Sequence, residues 1–126
     1  MLNDHTCRHL VTERIQTRLL PELKKAFQFE ASAFENLRIA RYVGARGGAS
    51  HGHRDNSAPE VAHRKFAVSI NLNSEEFEGG ALRFREYGGR RIKPDSGSAV
   101  VFSCSLLHEA LEVESGVRYV LLLFVL

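Results

Sequence analysis

From residue 27 onward, the hydrophobic pattern of this chain has a period of two, and this feature most constrains its fold. Residues 66–72 show the pattern most clearly, because apolar side chains alternate there with Ala67, Ser69 and Asn71. Successive side chains of a strand point to opposite faces, so this strand has one apolar face and one small, polar face. A polar inward face is typical of a β-barrel that holds a ligand.

Further alternating segments are separated by glycine-rich or acidic turns. We predict about eight short strands, which include 36–43, 66–72, 81–85, 98–103, 107–113 and 117–126. Loops or turns are predicted at 44–50, 56–60 and 74–80, and a last tight turn at 114–116. The sequence therefore predicts a mainly β fold, a β-sandwich or jelly roll over residues 36–126.

The first 35 residues are predicted to form an N-terminal support that contains the helices of the chain. Residues 8–20 carry apolar side chains at helical spacing, and Pro21 is predicted to end this helix. Because proline is tolerated in a first turn, residues 21–26 are predicted to form a second short helix. At 126 residues, the chain is expected to be a single domain, a β core with one or two N-terminal helices.

Composition limits the partners and the compartment. A net charge of +2 is too mild for a nucleic-acid-binding face, and the final apolar run of seven residues, 120–126, is too short to span a membrane. The first residues lack the pattern of a signal peptide, and two cysteines are too few for a disulfide framework. We therefore predict a cytoplasmic domain that binds neither nucleic acid nor membrane.

The run His51-Gly52-His53-Arg54-Asp55-Asn56 holds the candidate metal ligands. On an extended segment, residues two apart lie on the same side, so His53 and Asp55 could bind one metal ion. His51 is an alternative ligand, and we favour His53 because of its spacing from Asp55. With His108 as a third ligand, two histidines and one carboxylate form a facial triad, which leaves positions open on iron(II).

Arg118 follows His108 by ten residues and lies on the last predicted strand, in phase with Val120, Leu122 and Phe124. An arginine in an inward-facing row would be a buried charge, which needs an anionic partner. A guanidinium offers two parallel donors to a carboxylate, so we expect a dicarboxylate co-substrate here. A structural ion pair with a glutamate of the chain is the alternative.

Taken in order, these residues resemble the iron(II)/2-oxoglutarate-dependent oxygenases, and the prolyl-4-hydroxylase-like branch in particular. The resemblance rests on the order Tyr42, His53-x-Asp55-Asn56, Gly79-Gly80-x-Leu82-x-Phe84, Pro94-x-x-Gly97, Val101-Phe102, His108, Val113, Gly116 and Arg118. It covers the chain from about residue 38 to its end. It implies a double-stranded β-helix core.

The resemblance also implies roles for individual residues. Iron(II) would be held by His53, Asp55 and His108, and the far carboxylate of 2-oxoglutarate by Arg118 and Tyr42. Asn71 stands where some relatives place a second tyrosine for this co-substrate. Arg54 and Arg83 are expected on the substrate side.

The implied reaction consumes dioxygen and 2-oxoglutarate and releases succinate and carbon dioxide. We expect the substrate, a peptidyl side chain or a small molecule, to be hydroxylated, with ascorbate as a candidate reductant. An aspartate at position 55 fills the ligand site that a halogenating variant needs for halide. Two alternatives stay open: a non-catalytic cupin-like module that binds metal or senses 2-oxoglutarate, and a regulatory domain that docks a protein through Arg54, Arg64, Arg83 and Arg85.

Overall fold

The computed structural model describes residues 5–44 and 52–126. Its N-terminal helical part runs from α1 (His5–Arg14) through a π-helical turn (Ile15–Leu19) into α2 (Leu20–Phe27). The predicted second helix at 21–26 is confirmed as α2, which has Pro21 in its first turn, whereas the first helix ends at Arg14 and is shorter than predicted. A proline ring clashes with the carbonyl four residues earlier, and a wider turn, in which the Leu20 N–H donates to the Ile15 carbonyl, relieves this clash.

Eight strands follow in the described part of the chain, and they form two sheets. The strands are β1 (Arg38–Val43), β2 (Phe66–Asn71), β3 (Phe77–Gly79), β4 (Leu82–Arg83), β5 (Arg91–Ile92), β6 (Ala99–Ser103), β7 (Glu109–Ala110) and β8 (Val113–Val125). The larger sheet has the order β1-β8-β2-β6, with β3 also paired to β8, and the smaller has the order β5-β4-β7. All of these pairs are antiparallel, and the predicted jelly roll with an N-terminal helical part is confirmed.

Two predicted turns and one predicted strand are wrong. The predicted turn at 114–116 lies inside β8, where Gly116 pairs with Phe77 of β3. Gly116 has a φ of +78°, which bends the strand without ending its pairing. The predicted turn at 74–80 contains β3, and the predicted strand at 107–113 is reduced to β7. The predicted loop at 44–50 falls, apart from Gly44, outside the described residues.

The alternation of β2 and β8 separates a packed core from a cavity. On the outer face of the larger sheet, the helical part packs through Ile15 and Leu23 on Val68, Leu121 and Leu123. Each buried aliphatic side chain of this kind contributes roughly 1.5–3 kcal/mol. The inner face carries the small, polar residues of β2, as the alternation predicted. This face is turned toward the smaller sheet and forms one wall of the candidate site.

A second apolar cluster lies between the two sheets and includes Ala67, Leu82, Phe102, Cys104 and Ala110. It closes the space beside the cavity and holds the sheets together. No helix in the described ranges, 5–44 and 52–126, is both long and apolar enough to cross a membrane.

Candidate metal centre

A short antiparallel bridge joins the two histidines of the predicted triad. The backbone N–H of His53 donates to the carbonyl of His108 over 2.9 Å, and the N–H of His108 donates back to the His53 carbonyl over 3.0 Å. The Asp55 N–H donates to the Cys104 carbonyl over 2.9 Å. Two segments that are far apart in the sequence are therefore fixed side by side by backbone hydrogen bonds.

The ligating atoms of His53, Asp55 and His108 all lie within 4.8 Å of one another. Nε2 of His53 is 3.1 Å from Oδ1 of Asp55, and Nε2 of His108 is 3.3 Å from its Oδ2. Asp55 and His108 are nearly buried, whereas about half of the His53 side chain is exposed. Both imidazoles thus face one carboxylate, with a position between the three groups that a single cation could share.

The surroundings of His108 select the nitrogen that can bind a metal. Nδ1 of His108 is 3.1 Å from the carbonyl oxygen of Leu106, and a carbonyl only accepts hydrogen bonds. In a neutral ring, Nδ1 therefore carries the hydrogen, and the lone pair of Nε2 points toward Asp55. The ring also packs against Phe102, with centroids 4.6 Å apart, which holds its orientation. The donor set fits a divalent transition metal such as iron(II).

An ion pair holds the turn that carries Asp55. Arg64 donates to both carboxylate oxygens of Glu35, over 2.7 and 2.9 Å, and its Nη1 lies 3.4 Å from the Asp55 carbonyl. The guanidinium also lies over the Phe124 ring, 3.8 Å from its centroid. Asn56 donates to the Ser105 hydroxyl over 2.9 Å. The metal-binding turn is thereby tied to β8 and to the segment before β1.

Arg118 lies in the same cavity as the three candidate ligands. The cavity has a volume of about 210 Å³, and Arg118 is only 3% exposed. Its Nε donates to Oδ1 of Asn71 over 2.9 Å, and its guanidinium carbon is 5.4 Å from the centre of the Tyr42 ring. Burial lowers the pKa of the Arg118 guanidinium, and Tyr42 opposes this shift.

Among the residues that the structure describes, no carboxylate lies within 4.0 Å of Arg118. The alternative of a structural ion pair with a glutamate therefore finds no support in this part of the chain. A buried cation without an acidic partner is costly for folding, and an anionic ligand would offset that cost. The arrangement is suited to binding one carboxylate of a small molecule.

The structure brings most of the predicted site residues together. Tyr42 lines the cavity. Asn71 does not line it but accepts a hydrogen bond from Arg118, which does. Arg54 and Arg83 do not line it: Arg54 donates to Glu86 and to the Ser105 carbonyl, and Arg83 donates to Glu109. Their assignment to the substrate side stays a prediction. His51, the alternative ligand, lies outside the described residues.

Sequence reasoning assigned no role at this site to three residues near the metal-binding turn. Arg38 and Arg64 both line the cavity, and Glu35 contacts both of them. The signal for Arg38 was present in the sequence, because it is four residues before Tyr42 on a strand and so shares its face. Arg64 and Glu35 are 29 residues apart, and no local pattern connects them.

Comparisons with known proteins agree with this geometry. A model of the 2OG-Fe(II) oxygenase superfamily matches residues 37–126. A PKHD-type hydroxylase from Azoarcus sp. (strain BH72) is 34% identical over 79 residues, which make up 57% of this chain and 35% of that protein. The chain thus spans about a third of the length of this curated relative.

Solved structures share the fold over nearly the whole chain. An oxidoreductase of the 2OG-Fe(II) oxygenase family from Burkholderia pseudomallei has a TM-score of 0.79 at 21% identity, over 99% of this chain and 58% of that one. A prolyl-4-hydroxylase from Pseudomonas putida has a TM-score of 0.74 at 23% identity, over 98% and 68%. A viral collagen prolyl hydroxylase from Paramecium Bursaria Chlorella virus-1 has 0.72 at 20% identity, over 99% and 75%.

Proposed function

The chain belongs to the 2OG-Fe(II) oxygenase superfamily, and from this premise we propose that it is an iron(II)- and 2-oxoglutarate-dependent dioxygenase. It hydroxylates a peptidyl side chain or a small molecule and releases succinate and carbon dioxide. One observation carries the proposal. A single cavity contains two histidines and a carboxylate within 4.8 Å of one another, together with a buried arginine that has no carboxylate partner among the described residues.

His53, Asp55 and His108 are the proposed iron ligands. The two imidazoles and one carboxylate occupy part of the coordination sphere, so positions remain for the co-substrate and for dioxygen. Bound iron and 2-oxoglutarate supply the oxidising chemistry, which amino-acid side chains lack. The chain contributes orientation: the Leu106 carbonyl fixes the His108 ring, and Arg64 fixes the Asp55 turn.

Arg118 is the proposed partner of the far carboxylate of 2-oxoglutarate. The Asn71 side chain holds its Nε, which leaves the two terminal nitrogens of the guanidinium for the ligand. The Asn71 amide donates in turn to the Pro94 carbonyl over 3.2 Å, so its oxygen is directed at Arg118. Tyr42 lies beside the guanidinium and can donate its hydroxyl to the same carboxylate. Asn71 therefore acts on the co-substrate through Arg118.

A merely structural metal site has no use for Arg118, and this argues against a non-catalytic module that only binds metal; succinate release distinguishes the enzyme from a module that senses 2-oxoglutarate. Arg54 and Arg83 stay candidates for the substrate side, although each already has an acidic partner. We propose residues 36–126 as the catalytic β core and residues 1–35 as its support, within one domain. We propose a cytoplasmic setting, because two cysteines are too few for a disulfide framework.

The iron assignment is tested by anaerobic reconstitution with iron(II) and 2-oxoglutarate. We expect a visible metal-to-ligand charge-transfer band, because the co-substrate chelates iron through its keto acid end. His53→Ala should lose the band, and His9→Ala, on the exposed side of α1, should keep it. A band that persists in His53→Ala but disappears in His51→Ala would transfer the ligand role to His51.

The role of Arg118 is tested by separating two affinities. Arg118→Ala should weaken binding of 2-oxoglutarate much more than binding of iron(II), because the arginine contacts only the far carboxylate. Equal losses of both affinities would show that Arg118 is structural. Release of succinate from 2-oxoglutarate, measured over a panel of peptides and metabolites, then identifies the substrate.

A further inference from the structure

A second cationic side chain faces the cavity from the opposite end of β1. Arg38 pairs with Leu122 of β8, and Tyr42 pairs with Arg118, so all four side chains share the inner face. Unlike Arg118, the Arg38 side chain is 57% exposed. It therefore lies where the cavity meets solvent.

Arg38 shares its nearest carboxylate with Arg64. Both oxygens of Glu35 accept short hydrogen bonds from Arg64, over 2.7 and 2.9 Å. The Nη2 atom of Arg38 is 3.6 Å from Glu35, which is beyond hydrogen-bond range. Glu35 is thus bound by Arg64 through two hydrogen bonds, and its interaction with Arg38 is longer and weaker. In the described part of the chain, Glu35 is also the one carboxylate within 4.0 Å of Arg38.

Charge balance in the loaded site singles out the same residue. Two charges of iron(II) and one of Arg118 are matched by Asp55 and by the two carboxylates of 2-oxoglutarate. Arg64 is matched by Glu35. Among the described residues that line the cavity, Arg38 is then the one whose charge remains unmatched when iron and co-substrate are bound.

The proposed function already assigns both carboxylates of 2-oxoglutarate. The far carboxylate belongs to Arg118, and the keto acid end belongs to the iron. Arg38 lies four residues from Tyr42 on β1, and Tyr42 is the residue that pairs with Arg118, so the two arginines start roughly 13 Å apart along the strand direction. An anion at Arg38 would therefore come from another molecule.

We propose that Arg38 is a specificity-determining residue that binds a carboxylate of the substrate. This inference rests on the proposed function, because it assigns to the substrate a position beside the iron and the co-substrate. The carboxylate belongs either to a small molecule or to an acidic side chain of a peptide. In both cases the bond that is hydroxylated lies on the cavity side of that carboxylate.

The test measures binding without turnover, in protein loaded with Zn(II) and 2-oxoglutarate. Two matched pairs of probes are titrated by ligand-observed NMR. N-acetyl-L-proline against N-acetyl-L-prolinamide represents a small molecule, and acetyl-Glu-Pro-Gly-amide against acetyl-Gln-Pro-Gly-amide represents a peptide. We expect the acid of at least one pair to bind on the order of fivefold more tightly than its amide, the effect of one partly exposed ion pair. The pair that shows the preference identifies the source of the carboxylate.

Two variants of β1 test whether the preference for the acid depends on Arg38. Arg38→Gln should reduce the acid-to-amide ratio to about one, whereas Arg41→Gln should keep it, because Arg41 lies on the outer face beside Tyr119. An unchanged ratio in Arg38→Gln, or no acid preference in either pair, overturns the proposal.

A second measurement separates this inference from the proposed function. The charge-transfer band with iron(II) and 2-oxoglutarate should be retained in Arg38→Gln, since Arg38 does not contact the co-substrate. Loss of the band in this variant alone would overturn the substrate role of Arg38. Absence of the band in the wild-type protein would instead refute the proposed function, and the Zn(II) titration would still report on Arg38.

Discussion

Replacing Arg118 by methionine distinguishes a residue kept for ligand binding from one kept for folding. Methionine has a similar length and no charge, so Arg118→Met removes the buried cation and fills most of its volume. If Arg118 serves 2-oxoglutarate, the variant should fold as well as the wild-type protein but lose the stabilisation that this ligand confers. A structural arginine would give the opposite result.

The expected magnitudes follow from the contacts of Arg118. Burying a guanidinium that is only 3% exposed costs several kcal/mol. Its charged hydrogen bond to Asn71 offsets about 1.5–3 kcal/mol of that cost, and the Tyr42 ring offsets about 1 kcal/mol. Arg118→Met removes the cost of the buried charge but leaves the buried Asn71 oxygen without its donor, which costs about 1–3 kcal/mol. Since the gain and the losses nearly cancel, the unfolding free energy of ligand-free Arg118→Met should lie within about 1 kcal/mol of the wild-type value.

With Zn(II) bound, 2-oxoglutarate at a hundred times its Kd should stabilise the wild-type protein by about 2.7 kcal/mol. For a domain of this size, that corresponds to a rise in Tm of roughly 10 °C. Arg118→Met should show little of this rise. Thermal denaturation of both proteins, with Zn(II) alone and with Zn(II) plus 2-oxoglutarate, measures the difference.

Arg64→Met is the matched control, because Arg64 is also largely buried but has a carboxylate partner. It should lose about 2 kcal/mol without any ligand, since Glu35 is left without its partner. If ligand-free Arg118→Met is destabilised as much as Arg64→Met, or if it keeps the full rise in Tm, the reasoning is refuted.

Three further predictions concern the scaffold. Gly116→Ala should lower the unfolding free energy by about 3 kcal/mol, because a Cβ there meets the Glu76 carbonyl. Gly97→Ala, which has open space around it, should lower the unfolding free energy by about 1 kcal/mol, and chemical denaturation measures both values. Arg64 lowers the pKa of Glu35, so this pair stabilises the fold fully above about pH 4.3 and less as the pH falls through the lower folded-state pKa. In acid denaturation, the unfolding free energy of Glu35→Gln should depend less on pH than that of the wild-type protein. Burial raises the pKa of Cys104 to about 12, so a thiol reagent at pH 8 should label Cys104 in denatured protein but not in native protein.

The sequence by itself determined the features that depend on local periodicity. Alternation over residues 66–72 separated the face that packs on the helices from the face that lines the cavity, because a strand directs successive side chains to opposite sides. The same parity directed Tyr42 and Arg118 into the cavity. The family was indicated by the order of residues from Tyr42 to Arg118, which includes the glycine and proline positions between the candidate metal ligands.

Local signals misled where one residue type serves two purposes. Glycine at 116 has the positive φ that a tight turn uses, but here the same conformation bends a continuous strand that pairs with β3. The first helix was predicted to reach residue 20 but ends at Arg14, where a π-helical turn begins before Pro21. The path of β8 depended on pairing with a distant strand, which contributes nothing to the local pattern.

Only the tertiary structure decided which charges are paired. Arg64 and Arg118 look alike in the sequence, yet Arg64 binds Glu35, whereas Arg118 donates to Asn71 and has no carboxylate partner among the described residues. Nothing within a few residues of either arginine distinguishes them, because their partners come from strands and segments 29 and 47 positions away. Pairing between strands sets those distances, and the register of that pairing is a property of the whole fold.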